Sequence, residues 1–297
     1  MRIFITGAQS FIGTELRQRC RKRGFEVAGI DTVESDDQGF HRMDIRSPDV
    51  GKAIPDNTDA LIHLAAISRD SDCRNDLKLA FDVNVNGTIN LMQAAQARKV
   101  KQFIFASSEW VYGNARAGEI QTEDSVIDAG AINSEYALMK LTGERLLSMA
   151  HQRGFCHVTI LRFGIVYGPR PLAMNPIEGL FCEVRSQDVL EIKGSLSSGR
   201  RFVHVHDIAE GIISSLGRTG FEIFNLSADK VITFREIIER SAAILNKSLR
   251  VVESDPNSVN VRNPDNRKAR TVLGWKPKVD LDAGLRTLVG HLQGGRG

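Results

Sequence analysis

The stretch Arg2-Ile-Phe-Ile-Thr-Gly-Ala-Gln-Ser-Phe-Ile-Gly13 decides how the rest of the chain is read. Residues 2 to 6 form a short apolar run with the length of a strand, and a helix-like segment reaching Arg23 follows Gly13. Between them lies a tight glycine turn at a helix N-terminus. Such a turn presents backbone N–H groups at the positive end of the helix dipole, which suits a pyrophosphate. Ser10 stands at the middle glycine of the pattern and is small, but it does not favour positive φ, so a slight shift of the turn is expected. The next apolar run, Glu26 to Ile30, ends in Asp31. An acidic residue at that strand end accepts hydrogen bonds from a ribose with free hydroxyls and repels a 2′-phosphate, which favours NAD over NADP.

Length and composition agree with an ordinary globular protein. The chain has 297 residues, 42% hydrophobic and 25% charged, enough for one large α/β unit or a large and a smaller domain. With 39 basic against 36 acidic side chains the formal charge is only +3, which gives no ground for a nucleic-acid partner. The basic run Arg17 to Arg23 is read as the polar face and end of the first helix, with cations near its C-terminus. Cys20, Cys73, Cys156 and Cys182 are widely spaced, without metal-ligand or disulfide-framework spacing, so they are expected to be free thiols and no metal site is expected. No apolar run is long enough to span a membrane, and Ile3 to Ile5 reads as a strand rather than part of a signal peptide. The expected location is the cytoplasm, with no membrane partner.

Further along, Asp44 in Met43-Asp-Ile-Arg46 is either an acceptor for an adenine amino group or a turn aspartate before Ser47-Pro48. Asp59 to Ala66 reads as an apolar strand ending in small residues, and His63 within it as a hydrogen-bonded core histidine. Ser68 to Leu79, polar and without clear periodicity, is expected to be a loop. A helix is expected from about Ala80 to Lys99, then a strand from Gln102 to Ala106. That strand delivers Ser107-Ser-Glu-Trp-Val-Tyr-Gly113 to a carboxyl end, where ligands of open parallel sheets collect. A loop is expected from Asn114 to Asn133. Ser134 is read as the cap of a helix running towards Arg153, on which Tyr136 and Lys140 lie four apart on one face. A phenol beside an ammonium is expected to ionise more readily and so to accept or donate a proton, although an isolated pair of this kind is also an ordinary feature of a half-exposed helix. After the strand Val158 to Phe163 the regular alternation breaks up. Arg200 and Arg201 are read as phosphate- or carboxylate-binding forks or surface ion-pair partners. A helix near Ile208 to Leu216, a strand at Glu222 to Leu226, a helix at Thr233 to Leu245 and a small helical tail from Asn263 to Leu292 complete the chain.

Together, Gly7, Ser10 and Gly13, Asp31, Asp44, His63-Leu-Ala-Ala66, Ser107-Ser108 before Val111-Tyr-Gly113, and Tyr136 with Lys140 resemble the extended short-chain dehydrogenase/reductase family. Arg162, Tyr167-Gly-Pro169, Arg200-Arg-Phe-Val-His-Val205 and Leu273-Gly-Trp275 extend the resemblance, most closely to its NAD-dependent sugar epimerase and dehydratase branch. The resemblance implies an α/β fold: a Rossmann-type doubly wound parallel sheet with a small C-terminal α/β substrate domain interleaved. The NAD domain would be 1–167 with 204–226 returning to it, and the substrate domain 168–203 and 227–297. It implies Ser108, Tyr136 and Lys140 as catalytic residues. The cofactor would be bound by Gly7, Ser10, Phe11, Ile12, Gly13, Asp31, Asp44, Ile45, Leu64, Ala65, Ala66 and Ser107 with Tyr136 and Lys140. Ser108, Glu109, Asn84 and Arg200 would bind substrate. It also implies a homodimer joined by the helices near Phe81 to Ala97 and Tyr136 to Ala150.

Three departures bear on the substrate. Glu109-Trp110 stands where dehydratase members carry an Asp-Glu pair, which argues against water elimination. Ile165 stands where nucleotide-sugar epimerases carry asparagine, and Glu253-Ser-Asp-Pro256 stands about where they carry an arginine. The expectation is an NAD-dependent nucleotide-sugar 4-epimerase working through a transient keto sugar. Its alternatives are a dehydrogenase or ketoreductase using the same Ser-Tyr-Lys set, and a non-catalytic dinucleotide-binding regulator.

Overall fold

The computed structural model describes residues 1–113, 119–170 and 175–294. Strand β1 (Arg2–Thr6) buries Ile3, Phe4 and Ile5 completely, as a central parallel strand covered on both faces does. Helix α1 (Phe11–Lys22), β2 (Glu26–Asp31) and β3 (Phe40–Arg42) follow. After α2 (Val50–Ala53) and β4 (Ala60–His63) come α3 (Asp70–Asn75), α4 (Leu77–Phe81) and α5 (Gly87–Ala97), with a π-helical turn at Asp82–Asn86 before α5. Strand β5 (Gln102–Ser108), a 3₁₀ turn at Glu109–Tyr112, α6 (Glu135–Gln152) and β6 (His157–Phe163) complete this alternation.

The chain continues through β7 (Ile165–Tyr167), α7 (Pro176–Ser186), β8 (Val189–Ile192), β9 (Gly199–Arg200), β10 (Phe202–His204), α8 (Val205–Ser214) and β11 (Phe221–Leu226). It ends with β12 (Ile232–Thr233), α9 (Phe234–Leu245), β13 (Arg250–Glu253), α10 (Arg267–Leu273) and α11 (Leu281–Gly294). The main sheet has seven strands in the order β11-β6-β5-β4-β1-β2-β3. Its β3-β2-β1-β4-β5-β6 portion is parallel throughout and is the doubly wound arrangement expected from the sequence.

Two compact units alternate along the chain: Met1–Gly113, Val126–Phe163 and Ala209–Phe224 in the first, Asn114–Ser125, Gly164–Ile208 and Asn225–Gly297 in the second. The first is built around Phe4, Leu61, Leu91, Phe103, Phe105 and Ile160 between sheet and helices. In the second, α7, α9 and α11 bury Phe181, Ile237 and Leu285 together with Phe202 of the short β7–β10 pair.

Two expectations need correction. Ser68 to Leu79 is not a loop but carries α3 and α4. These helices are too short to show a period: α3 buries Cys73 and α4 buries Ala80, while Leu77 and Leu79 face out, and Asp76 caps the second by accepting from Leu79 N at 2.9 Å. The expected single helix from Ala80 to Lys99 is instead the end of α4, the π turn and α5. Within the expected loop from Asn114 to Asn133, residues 114–118 lie outside the described residues. A 3₁₀ turn occupies Ala129–Ala131, where Asp128 accepts from Gly130 N at 2.9 Å.

The basic run of α1 is matched by acids. Arg17 and Arg21 pair with Asp37 at 2.6 and 3.4 Å, Arg23 with Glu210 at 2.6 Å, and Arg19 with Glu15 and Glu210. Arg17 and Arg21 also stack on Phe40.

The turn after β1 explains its residues one by one. Gly7 has φ +71°, and a Cβ there would sit 2.8 Å from Ala65 N; a Cβ on Gly13 would sit 2.2 Å from Gly7 O. Ser10 has φ −64°, so this position needs no glycine, and its hydroxyl instead accepts from Gly13 N at 3.1 Å and caps α1. Gly13→Ala should lower stability by about 1–3 kcal/mol through overpacking. Ser10→Gly should cost only a few tenths of a kcal/mol. Urea denaturation of both variants measures the contrast.

Candidate active site

At the carboxyl ends of β1, β2 and β4 the sequence-predicted cofactor residues form one cradle. Gly7 lies against Leu64 and Ala65, which are partly exposed, and Leu64 N donates to Thr6 O at 3.1 Å. Helix α1 begins at Phe11, directly after the turn, so Phe11, Ile12 and Gly13 form the positive first turn of the helix dipole. Asp31 accepts from Gln9 N at 2.9 Å through one oxygen and from Val33 N at 3.2 Å through the other, and a carboxylate in this setting retains acceptor capacity for a ribose diol. The side-chain Nε2 of Gln9 is buried without a hydrogen-bond partner, a donor left at the mouth of the turn. Asp44 is engaged by Arg46, whose Nη2 and Nε donate to it at 2.6 and 3.0 Å, and this pairing holds its carboxyl below the usual range. Ile45 is buried against Gly87, where an added Cβ would meet its Cδ1 at 2.6 Å, so it shapes the floor of this region through packing.

Strand β5 and helix α6 bring Ser108, Tyr136 and Lys140 together. Ser134 caps α6 as the sequence indicates, accepting from Ala137 N at 3.1 Å. Asp70 of α3 reinforces that end: it accepts from Ser134 Oγ at 2.6 Å and from Tyr136 N at 3.4 Å. Sequence reading placed Asp70 in a loop and missed this anchor. Lys140 Nζ is buried, donates to Ala106 O at 2.8 Å, and lies 4.8 Å from the Phe105 ring centroid and 5.7 Å from that of Tyr136. Burial lowers the Lys140 pKa to about 8. Burial raises that of Tyr136, with Cys73 acting in the same direction and Ser108 opposing.

The expectation that Lys140 makes Tyr136 readily ionised is thus reversed in the chain by itself. The ammonium is directed at the Ala106 carbonyl, and desolvation of the phenolate is the largest cause of the shift. His63 is a core histidine bonded to Thr6 and Thr88 hydroxyls at 2.8 and 3.0 Å, and burial together with the Lys140 charge holds it neutral.

Ser107 and Asn84 have protein partners. Ser107 donates its hydroxyl to Glu144 at 2.5 Å. Glu144 also takes Arg162 at 2.7 and 3.0 Å, and Arg162 donates to Tyr112 Oη at 2.9 Å. This buried network was missed by sequence reading; only the spacing of Glu144, four after Lys140, hints at it. Asn84 sits in the π turn, where its amide accepts from Ile67 N and donates to Ile67 O, both at 2.9 Å. That clamps the chain after β4. Glu109 is buried at the start of the 3₁₀ turn.

In the second unit, Arg200 donates Nη1 to Gly199 O and Asn260 O, each at 2.7 Å, while buried Arg201 bonds Asn263 Oδ1 at 2.6 Å and Ala228 O at 3.0 Å. Glu253 ends β13 with its carboxylate accepting from Leu196 N at 2.7 Å. An arginine does occur farther on: Gly199 bridges Val261, and Arg262 N donates to Gly199 O at 3.3 Å, which places Arg262 beside Arg200. Its signal was the Arg262-Asn-Pro-Asp265 segment, which the approximate placement at Glu253 passed over. Among the described residues no group of three or more metal-ligating side chains converges, and no helix is long and apolar enough to cross a membrane.

A doubly wound parallel sheet with a glycine turn, an acidic β2 end and a Ser-Tyr-Lys set at the β5–α6 junction defines a dinucleotide-dependent enzyme of the extended short-chain dehydrogenase/reductase type. A family model described as the NAD dependent epimerase/dehydratase family matches residues 3–227, and the chain belongs to that family. The chain is 28% identical to UDP-glucuronate 4-epimerase of Thermodesulfobacterium geofontis, over 96% of this chain and 94% of that protein. Among solved structures, UDP-glucose 4-epimerase of Thermus thermophilus with NAD matches at a TM-score of 0.86 and 28% identity, covering 99% of this chain and 100% of that one. UDP-glucuronic acid 4-epimerase of Bacillus cereus, in complex with UDP-glucuronic acid and NAD, matches at 0.87 and 27%, covering 99% of both chains. The cofactor is NAD, and the residues present fit it: the Gly7 and Gly13 contacts leave no room for side chains, and Gln9 offers an unmatched donor.

The Lys140 shift has a measurable consequence. Its folded pKa is below the unfolded value near 10.4, so between about pH 8 and 10 the unfolded chain binds more protons, and the free energy of unfolding rises with pH. Relative to Lys140→Met, wild type should gain on the order of 2 kcal/mol over that window, read by urea denaturation at pH 8, 9 and 10.

Proposed function

We propose that the protein is a nucleotide-sugar 4-epimerase that works by transient oxidation of the sugar to a 4-keto intermediate. The observation that carries the reading is the assembly of Ser108, Tyr136 and Lys140 around the end of β5, combined with a buried Glu109 where a dehydratase would need an Asp-Glu pair. NAD supplies the acceptor for the hydride leaving the sugar carbon and then the donor that returns it.

Tyr136 starts as a neutral phenol, and positive charge beside it, from Lys140 and from a bound oxidised nicotinamide, would favour its ionised form and so its role as base. It then takes the sugar hydroxyl proton at its phenolic oxygen and returns it after the centre has inverted. Ser108 hydrogen-bonds the reacting oxygen and Lys140 the nicotinamide ribose. Gly7, Ser10, Phe11, Ile12, Gly13 and Asp31 hold the dinucleotide, with Leu64, Ala65 and Ala66 as its wall.

The first unit is the NAD domain in this reading and the second the substrate domain. In the latter, Arg200 and Arg262, on bridged segments, supply charge for the diphosphate. UDP-sugars are the first substrates to test, because the relatives above carry UDP in their names and complexes. A homodimer fits the exposed apolar side chains of α4 and α6, namely Leu77, Leu79, Phe81, Leu138 and Met149. The four unpaired cysteines suit the cytoplasm.

Freshly purified protein, denatured and analysed by mass spectrometry, should release NAD or NADH in near-equal amount to protein. NMR should then show interconversion of a UDP-sugar with its 4-epimer. Tyr136→Phe should lower turnover about 10²–10⁴-fold while the bound cofactor is retained. An empty protein that oxidises or reduces a sugar with exchangeable NAD would overturn epimerisation in favour of a dehydrogenase.

A further inference from the structure

Strand β5 and helix α6 approach without a spacer: a Cβ on Gly143 would meet the Phe105 ring at 2.7 Å. At this distance three successive residues of the strand engage the helix at three successive turns. Ala106 O accepts from Lys140 Nζ at 2.8 Å, Ser107 Oγ donates to Glu144 at 2.5 Å, and Ser108 faces Tyr136. The residues Tyr136, Lys140 and Glu144 are spaced at i, i+4 and i+8, so they share one helix face. The β5–β6 register sets Arg162 directly opposite Ser107, and the Glu144 carboxylate therefore receives a serine and an arginine from adjacent strands. Arg162 continues to Tyr112, in the turn that follows Ser108.

Both charges of the Glu144–Arg162 pair are nearly inaccessible, with 3% and 4% of the side-chain surface exposed. A buried pair of this kind is weak as a source of stability, because desolvation cancels much of the attraction and apolar replacements are often neutral. Its placement is better explained by what it touches. The groups facing Lys140 are Tyr136 and Glu144 on its own helix, Cys73 on α3 and His63 on β4. Of these four Glu144 is the carboxylate, held in an ion pair with Arg162 at 2.7 Å, whereas the phenol and thiol have raised pKa values and the imidazole is neutral.

We propose that Glu144 is a positioning residue of the active site: through Ser107 it fixes the strand end that carries Ser108, and through its charge one turn below Lys140 it keeps that side chain an ammonium. This rests on the catalytic reading above for its effect on turnover, but not for its effect on Lys140.

Two readouts separate the proposal from that reading. The first is the pH profile of kcat and KM for wild type, Ser107→Ala, Glu144→Gln and Glu144→Asp. The second is the titration of Lys140, followed by ¹³C NMR of the labelled lysine Cε, which needs no activity. Glu144→Gln should lower kcat at least tenfold with a smaller change in KM. It should also move both the alkaline limb and the Lys140 titration about one pH unit lower. Glu144→Asp should restore the titration and not the full kcat, because the charge remains while the reach to Ser107 is lost. Ser107→Ala should lower kcat without moving the titration.

Should Glu144→Gln be poorly folded, Glu144→Gln/Arg162→Met removes the uncompensated arginine and is expected to show a smaller shift in the same downward direction. Wild-type titration of Lys140 in either variant overturns the electrostatic role, and an unchanged kcat in Ser107→Ala overturns the positioning role. Loss of stability alone, with both readouts unchanged, overturns the proposal as a whole. A wild-type protein without epimerase activity overturns the catalytic reading, while the NMR titration still decides whether Glu144 governs Lys140.

Discussion

The contact that the site depends on is the unspaced packing of α6 on β5, which only a glycine at position 143 permits. A side chain there would push the helix outward, and the short Ser107 hydroxyl would no longer reach Glu144. The same closeness seals Lys140 against the Phe105 ring and the Ala106 carbonyl, so its ammonium is buried with one backbone acceptor. Packing and electrostatics are therefore one constraint here. The apolar wall that positions the lysine is also what makes its charge costly.

That cost reorganises the chemistry of the site. Tyr136 and Lys140 are each pushed towards the neutral form by burial, and His63 is held neutral in the wall behind them. An arrangement tuned in this way responds strongly to any charge brought into it, since the low local dielectric amplifies each added ion. A positive charge brought beside Tyr136 would therefore act on it far more strongly than the same charge in water.

Away from the site the charges are handled differently. The arginines of α1 meet Glu15, Asp37 and Glu210 at partly exposed positions, where such pairs contribute little stability but cancel the local positive potential. The arginines of the run read as the polar face of the first helix become, once folded, members of matched ion pairs. The difference lies in Asp37 and Glu210, which no local reading of residues 17 to 23 could associate with it.

The sequence by itself determined the strand-turn-helix at Gly7 to Gly13, the acidic end of β2, the doubly wound order and the helix that carries Tyr136 and Lys140 at one spacing. These are legible because apolar period, glycine turns and the Ser134 cap are local signals, each set by residues within a turn or two of one another. Only the tertiary structure decided that Ser10 is a cap rather than a strained turn residue and that α3 brings Asp70 to the start of α6. It alone showed Asn84 clamping Ile67, Arg162 meeting Glu144, and Arg262 standing beside Arg200. It also reversed the expected direction of the Tyr136 shift. The physical reason is common to all of these. A hydrogen-bond partner and a degree of desolvation are properties of residues distant in sequence brought together by packing, and the spacing of side chains along one helix carries no record of what lies opposite it.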